Sequence, residues 1–411
     1  MLLILSPQTS PRLDYVCQII FERVLGLDFS ITDNEEKYKA HTDFKLRYVP
    51  KTDLLFETGI RKQDEEKILQ DKPALAFYLL TNYEEYLPNC PRDQHGRIVY
   101  EQSFVVRHQL HKQATVQRIA LEYKTLLSKQ KPGFSWPKRE YRFVPTFDID
   151  IAYAFKGKTL SHFCGALAKS ILTLQWNNAR QIIKARYQQD FQDPYDVYDI
   201  EKQLCEQHQL HPIYFFLTSD RTRYNRNISP RSSYFSALIQ KVKTYATIGL
   251  HPSYHSINQN DIIKERKNLE EKGQIKIQYS RQHFLKVKFP ETFRNLIAAG
   301  ITDDYSLGFY DRIGFRNGMA VPFPFFDVKD NKCTQLMLHP LLMMDSAAVQ
   351  ELGMNEKYQK EITELVREVK TVGGEMIPLW HSNFMPQGSQ ELELFKKTFE
   401  RMCQTTNSMP R

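Results

Sequence analysis

From residue 142 onward, short apolar runs alternate with longer segments in which apolar residues recur every three or four positions. Short runs rich in β-branched and aromatic residues predict strands, and the three-to-four spacing predicts helices that bury one face. The predicted strands are residues 142–147, 212–218, 247–250, 275–279, 336–338 and 376–380. The predicted helices follow Asp193 or cover residues 235–242, 290–300, 362–373 and 391–402. This alternation predicts a parallel sheet, and we prefer a closed (β/α) barrel to an open, doubly wound sheet.

The first 130 residues have a less regular pattern, with helical spacing at about residues 12–24 and 75–87. Residues 128–139 contain two prolines, a glycine and several cations, a composition that breaks helices and strands. We therefore place a domain boundary there. The chain is predicted to consist of a smaller α+β accessory domain over residues 1–130 and an α/β barrel domain over residues 140–411.

Composition and charge narrow the possible partners. The 411 residues carry 56 Lys and Arg against 48 Asp and Glu, a net charge of +8 with no dense basic block. Such a balance suits an anionic ligand and argues against nucleic acid. No apolar run approaches the ~20 residues of a membrane span. The opening apolar run, residues 1–5, is too short for a signal peptide, and we therefore expect a cytoplasmic protein. The six cysteines are scattered singly, which predicts reduced thiols.

Two carboxylates follow the first predicted strand of the barrel domain. Asp148 and Asp150 are two positions apart, so they project to the same side of an extended chain. Two carboxylates this close repel each other unless a cation lies between them or one is protonated. The spacing therefore suggests a metal ligand beside a general base, although an isolated Asp-x-Asp is also common as an N-cap or turn.

Two histidines, His251 and His255, follow the predicted strand 247–250. If Pro252 starts a helical turn, positions four apart share one face and both imidazoles could bind one metal ion. With twelve histidines in the chain, such a pair arises by accident with a probability of roughly one third. Its position at a strand end, like that of the aspartates, favours a three-ligand catalytic site.

Other polar residues also fall at ends of predicted strands, the face on which a parallel barrel builds its active site. These residues are Arg281, His283, Asp303, Asp304 and His381. Each has an ordinary structural alternative: a surface cation, a core histidine or a turn-forming aspartate. Their repeated occurrence on one face favours a shared site, in which Arg281 could orient the aspartate that is not a ligand.

Together these motifs resemble the polysaccharide deacetylases of the NodB-homology type, carbohydrate esterase family 4, over residues 140–405. The resemblance implies a distorted (β/α) barrel that removes acetyl groups from N-acetylated or O-acetylated sugars of a polysaccharide, glycolipid or cell-envelope precursor. It also implies a divalent metal, with zinc preferred. The segment 83–86 resembles part of an accessory domain that precedes some of these enzymes.

The resemblance implies a role for each matching residue. Asp148 would be the base, Asp150, His251 and His255 the metal ligands, and Arg281 the residue that steadies the base. The general acid has two candidates, of which we prefer His381, before a polar loop, to His339. We assign substrate binding to Arg316, His283 and Asp304.

The sequence departs from the family at three places. Ile149 separates the two aspartates, and residues 314–318 form a segment that only some subgroups of the family contain. The proline that usually follows the arginine is also missing after Arg281. Two alternatives stay open: a catalytically inactive carbohydrate-binding barrel, and another metal-dependent hydrolase such as an amidohydrolase or phosphodiesterase.

Overall fold

The computed structural model describes residues 1–188 and 190–404. Its N-terminal part contains a three-stranded parallel sheet in the order β2-β1-β3, formed by β1 (Leu2–Leu5), β2 (Phe29–Thr32) and β3 (Phe44–Arg47). The helices around it are α1 (Pro11–Cys17), α2 (Glu35–Ala40), α3 (Glu65–Gln70), α4 (Lys72–Leu80), α5 (Phe104–Arg107) and α6 (Thr115–Ser128). A π-helix (Gln18–Val24) continues α1, and 3-10 turns lie at Tyr83–Tyr86, Tyr100–Gln102 and Leu110–Lys112.

The second part of the chain is built on strands that are mostly short. They are β4 (Arg142–Phe143), β5 (Thr146–Ile149), β6 (Ile213–Phe216), β7 (Thr247–Leu250), β8 (Tyr279–Ser280), β9 (Asp303–Asp304), β10 (Phe323–Asp327), β11 (Lys332–Leu338), β12 (Met343–Met344), β13 (Glu375–Met376) and β14 (Pro378–His381). The helices are α7 (Leu160–Leu172), α8 (Trp176–Tyr187), α9 (Tyr198–Gln207), α10 (Ser233–Val242), α11 (Gln259–Gly273), α12 (Glu291–Ala298), α13 (Asp345–Leu352), α14 (Glu356–Thr371) and α15 (Gln390–Cys403). 3-10 turns follow β8 at His283–Leu285 and β14 at Ser382–Phe384.

Nine of these strands form one sheet in the order β10-β11-β9-β8-β7-β6-β5-β14-β12, and β4 pairs with β13 separately. Neighbouring strands of the large sheet are parallel except β10 and β11. Within the described residues no strand ladder joins the outer strands β10 and β12. A backbone hydrogen bond, from Leu341 N to Leu307 O at 3.0 Å, connects the segment before β12 with the segment after β9. The predicted α/β architecture with a mainly parallel sheet is confirmed, whereas closure into a barrel is not.

Buried aromatic side chains hold the sheet against its helices. Trp380 of β14 lies 5.6 Å from Phe147 of β5 and 5.0 Å from Phe395 of α15, measured between ring centroids. Close packing of this kind fixes neighbouring strands relative to one another, so the residues that follow β5 and β14 keep a constant separation.

The apolar side chains of the two predicted domains form one continuous core. Tyr15 of α1, for example, donates a hydrogen bond to Pro324 O of β10 at 2.8 Å. The division at residues 130–140 stays a prediction, and the end of its second domain, residues 405–411, lies outside the described residues. Over residues 1–188 and 190–404, no helix has the length and apolar character that crossing a bilayer requires.

Candidate active site

Two carboxylates at the end of β5, Asp148 within the strand and Asp150 directly after it, meet three imidazoles from other strand ends. Asp150 Oδ1 lies 3.1 Å from His251 Nε2, and Asp150 Oδ2 lies 3.5 Å from His283 Nε2 and 3.6 Å from His381 Nε2. Asp148 Oδ2 lies 3.7 Å from His251 Nε2. Parallel pairing of β14, β5, β6, β7 and β8 brings these ends to one edge of the sheet.

Asp150, His251 and His283 are arranged so that they could hold a metal ion. One ligand atom from each lies within 4.8 Å of the others. His251 Nδ1 donates to Arg281 O at 2.5 Å, and His283 Nδ1 donates to Asn225 Oδ1 at 3.2 Å. These hydrogen bonds leave both Nε2 atoms free as ligands, the usual outer support of a metal-bound histidine.

The donor atoms of this group fit a divalent cation. Asp150 Oδ1 is buried and has no hydrogen-bond partner in the described part of the chain, although buried carboxylate oxygens are normally paired. Burial opposes ionisation of Asp150, but the neighbouring imidazoles of His283 and His251 outweigh it and hold its pKa well below the usual value. One carboxylate and two imidazoles form a three-ligand set that leaves a coordination position open.

His255, which the sequence places among the ligands, does not join this group. Its side chain is exposed and lines a different cavity of about 300 Å³. The prediction required a helical turn after β7, but residues 251–253 have no helical structure and only a turn follows. Without that turn, positions four apart do not share a face. The third potential ligand, beside Asp150 and His251, is instead His283, to which the sequence assigned substrate binding.

Arg281 holds the Asp148 carboxylate in place from a fully buried position. Its Nη1 donates to Asp148 Oδ1 at 2.9 Å, its Nη2 to Thr146 Oγ1 at 2.8 Å and its Nε to Tyr305 O at 3.0 Å. The guanidinium also lies 4.5 Å from the ring centroid of Phe215. Such a guanidinium has little freedom to move, and it fixes the direction in which the Asp148 carboxylate faces.

Glycine is required at position 249 of β7 to make room for that aromatic ring. A Cβ on Gly249 would lie only 2.5 Å from Cδ1 of Phe215, a separation that packed side chains do not tolerate. The absence of a side chain at this position therefore helps to place the ring on which the Arg281 guanidinium rests.

His381 is held by a carboxylate that no motif in the sequence indicates. Asp345, at the start of α13, accepts from His381 Nδ1 at 2.8 Å and from His381 N at 2.6 Å. Burial lowers the pKa of His381, but the Asp345 and Asp150 carboxylates outweigh it and raise the value to about 10. An imidazolium is therefore favoured at neutral pH, with Nε2 directed towards Asp150.

A cavity of about 180 Å³ joins these groups. Asp148, Asp150, His251, His283 and His381 all line it. Its walls also include Arg97 from the N-terminal part, together with Phe284, Tyr310 and Ser346. Arg97 is fixed by Asp93, which accepts from its Nε at 2.9 Å, and by Phe284 O, which accepts from its Nη1 at 2.9 Å.

Three other residues that the sequence singled out lie outside this cavity. Asp304 is buried, and both of its carboxylate oxygens accept hydrogen bonds, from Ser280 Oγ and from Ser306 N and Oγ. Arg316 is buried in an ion pair with Glu85. This ion pair connects the two parts of the chain. Both substrate-binding assignments are therefore corrected. The second candidate acid, His339, donates to Asp303 and stacks on Tyr305 at 4.1 Å.

The N-terminal part of the chain matches a known family of sequences. A family described as "Family of unknown function (DUF7033)" matches residues 2–132. No curated protein sequence matches.

The chain is similar to solved structures over about two thirds of its length. One protein, described as a polysaccharide deacetylase from Mycobacterium smegmatis, is 12% identical with a TM-score of 0.40, and the match covers 67% of this chain and 88% of that one. The Xyl-CE4 domain of a multidomain xylanase from the hindgut metagenome of Trinervitermes trinervoides is 8% identical, with a TM-score of 0.27 and coverage of 64% and 82%. The polysaccharide deacetylase Bc1974 from Bacillus cereus is 10% identical, with a TM-score of 0.26 and coverage of 67% and 96%. This chain is thus similar to structures of polysaccharide deacetylases and of a CE4 domain.

Proposed function

We propose that the protein is a metal-dependent deacetylase that hydrolyses acetyl groups of N-acetylated or O-acetylated sugars. One observation carries the proposal: three groups line the same cavity. They are three side chains that could bind a metal ion, a carboxylate held by an arginine, and an imidazole held by a carboxylate. Hydrolysis of an amide or ester needs these three functions: an electrophilic centre, a base for water and an acid for the leaving group.

Asp150, His251 and His283 would hold the divalent ion, and their mixed oxygen and nitrogen donors favour zinc. When bound, the ion would polarise the acetyl carbonyl and lower the pKa of a water molecule. Asp148 accepts the proton of the attacking water, and Arg281 keeps that carboxylate facing the cavity. His381, which Asp345 keeps protonated, donates a proton to the departing amine or alcohol.

The proposal extends to the organisation and location of the protein. Residues 1–130 would form an accessory domain and residues 140–411 the catalytic domain, and Arg97 gives the accessory part a direct place in the substrate cavity. All six cysteines are unpaired, which supports the reducing conditions of a cytoplasmic location.

Metal content measured together with acetate release tests the proposal. The purified protein should bind one equivalent of divalent metal and should release acetate from members of a panel of acetylated glycans. His283→Ala should lose both properties, whereas the matched variant His255→Ala should keep the metal. Metal binding without acetate release from any glycan, ester or amide would favour an inactive binding protein and would overturn the assignment.

A further inference from the structure

Helices α7 and α8 form a hairpin that exposes apolar side chains. The two helices pack mainly on each other. Within the described residues, seven of the fifteen exposed large hydrophobic side chains lie between positions 160 and 187. At the tip, Leu172 is 83% exposed, Leu174 72% and Trp176 56%. Such a concentration on one short segment is unusual for a surface that faces only water.

The same segment has only one sign of charge. Between residues 151 and 189 the sequence contains six Lys and Arg and no Asp or Glu. Lys169, Arg180, Lys184 and Arg186 all lie on α7 or α8 and are exposed. Apolar side chains flanked by basic ones, on helices that lie at a surface, are typical of segments that insert into the interface of an anionic membrane.

A large cavity at the foot of the hairpin extends this basic surface towards the candidate active site. It has a volume of about 780 Å³, and it reaches Ile151, the residue after Asp150. Lys158, Arg221 and Arg231 are among its lining residues, and no carboxylate lines it among the described residues. The cavity gives the hairpin a positive field over a wider area than the two helices alone.

The positive charge of the hairpin also indicates which surface the apolar tip contacts. In a symmetric pair of chains joined through this tip, the basic residues of one hairpin would face those of the other, which is unfavourable. Neither helix could cross a bilayer. An anionic membrane surface satisfies both features of the hairpin, since acyl chains accept Leu172 and Leu174, the headgroup region accepts Trp176 and lipid phosphates meet the cations.

We propose that the α7–α8 hairpin docks the protein peripherally on membranes that contain anionic phospholipid. This inference does not depend on the proposed deacetylase activity. The tip lies at the acyl boundary with Trp176 at the headgroup level, where tryptophan is preferred. The basic side chains lie among the headgroups, and the cavity faces the membrane surface.

Sedimentation with vesicles tests the docking directly. The full chain should co-sediment with vesicles of phosphatidylcholine and phosphatidylglycerol, and it should do so less as salt is raised. Vesicles of phosphatidylcholine alone should retain far less protein. Brominated lipid in the anionic vesicles should quench tryptophan emission, and Trp176→Phe should abolish the quenching. The other two tryptophans pack outside the hairpin, Trp136 against Phe44 and Trp380 against Phe147.

Matched variants separate the apolar and electrostatic contributions. Leu172→Ser with Leu174→Ser should weaken binding at least about tenfold. Replacing Lys169, Arg180 and Lys184 with Gln should weaken it by about fivefold per charge and should reduce the dependence on salt. The control variant Ile297→Ser with Met354→Ser, which alters exposed apolar residues elsewhere, should bind as the wild type does.

Several results would overturn the docking proposal. One is the absence of binding to anionic vesicles, and another is binding that neither set of hairpin variants weakens. Unchanged quenching in Trp176→Phe would place the membrane contact elsewhere. A dimer in sedimentation velocity that Leu172→Ser with Leu174→Ser dissociates would show that the tip packs against a second copy of the chain.

Discussion

Asp148 and Asp150 are chemically identical and two positions apart, yet their neighbours suit them to different roles. Asp150 faces the imidazoles of His251 and His283, which surround its oxygens. Asp148 instead receives a hydrogen bond from Arg281. A carboxylate among imidazoles is suited to hold a metal ion, and one fixed by a guanidinium is free to accept a proton from water.

Substitution of each aspartate in turn distinguishes these roles. Asp148→Asn should keep the metal, but its turnover rate should fall by a factor of ~10² to 10⁴, because an amide cannot accept the proton. Asp150→Asn should lose the metal as well as activity. The measurements are metal content by elemental analysis and acetate release on the same samples. Loss of metal in Asp148→Asn with retention in Asp150→Asn would reverse the two assignments.

The pairing of Asp345 with His381 leads to a prediction about pH. His381 must be protonated to donate, so turnover should fall as pH rises through its pKa, which Asp345 raises. Asp345→Asn removes the largest of the negative charges that raise the pKa of His381. The pKa of His381 should therefore fall, and the alkaline loss of activity should move to lower pH. The measurement is kcat against pH for wild type and variant. Superimposable profiles would show that Asp345 does not control this proton.

A comparison of leaving groups tests which histidine is the acid. His381→Ala should depress turnover strongly for an amide, whose amine must be protonated to depart, and less for an aryl acetate, whose phenolate leaves unaided. His339→Ala should spare both reactions, since that imidazole stacks on Tyr305 outside the cavity. Selective loss of the amide reaction in His339→Ala alone would reverse the assignment.

Among individual residues, those at strand ends could be located from sequence, and those fixed by long-range contacts could not. The spacing of Asp148 and Asp150 indicated that both face one side of the chain. His283 shares that two-residue spacing with Arg281, a relation that could have marked it as a ligand. Asp345 and Asn225 meet their histidines across 36 and 58 positions, and no local pattern reports such contacts.

At the level of elements, runs that are buried on both faces were easier to locate than short ones. Residues 247–250 coincide with β7, and residues 212–218 enclose β6. The two-residue strands β9 and β12 were missed because two residues carry no period. The helix expected after Asp193 begins only at Tyr198, because the Asp193 carboxylate instead accepts from the backbone of residues 154–156.

A buried carboxylate on α9 connects that helix to two strands. Glu201 accepts from Tyr214 Oη of β6 and from Ser382 Oγ, directly after β14, each at 2.8 Å. Burial outweighs these two hydrogen bonds and raises the pKa of Glu201 to about 7. The folded protein therefore binds this proton more tightly than the unfolded chain does.

The stability of the fold should depend on pH through Glu201. The raised pKa of Glu201 stabilises the folded state, and this contribution to stability is complete below pH 4.5, the ordinary pKa of the side chain. The contribution is lost as pH rises through about 7. The loss amounts to roughly 3 kcal/mol of unfolding free energy. Glu201→Gln should remove this decline, which urea unfolding at about pH 5 and about pH 8 would measure. Parallel pH dependence in the two proteins would contradict the role of Glu201.

On the scale of the whole molecule, the composition of residues 128–139 predicts a domain boundary, but it does not report how extensively the two parts contact each other. The N-terminal sheet and the nine-stranded sheet are separate. Their apolar residues nevertheless share one core, and Arg97 crosses to the cavity. The alternation of polar and apolar residues shows which face of an element is buried, but it does not identify the element that covers that face.

Two ion pairs connect the N-terminal part with the segment after β9, and they differ in burial. Glu85 pairs with Arg316 where both side chains are almost fully buried, whereas Glu101 pairs with Arg312 at a site where the glutamate is 60% exposed. A buried charge that loses its partner remains desolvated, while an exposed one is solvated by water. The two pairs therefore form a matched test of how firmly the parts of the molecule are joined.

Glu85→Ala should lower the free energy of unfolding by about 3 to 5 kcal/mol, because the Arg316 guanidinium would stay buried without its principal counter-charge. Glu101→Ala, the matched substitution at the exposed pair, should cost at most about 1 kcal/mol. Urea unfolding followed by far-UV circular dichroism measures both. If Glu85→Ala does not fold, Glu85→Gln, which keeps a hydrogen-bonding oxygen, should fold with a smaller loss. Equal and small losses in Glu85→Ala and Glu101→Ala would show that the buried pair does not hold the two parts together.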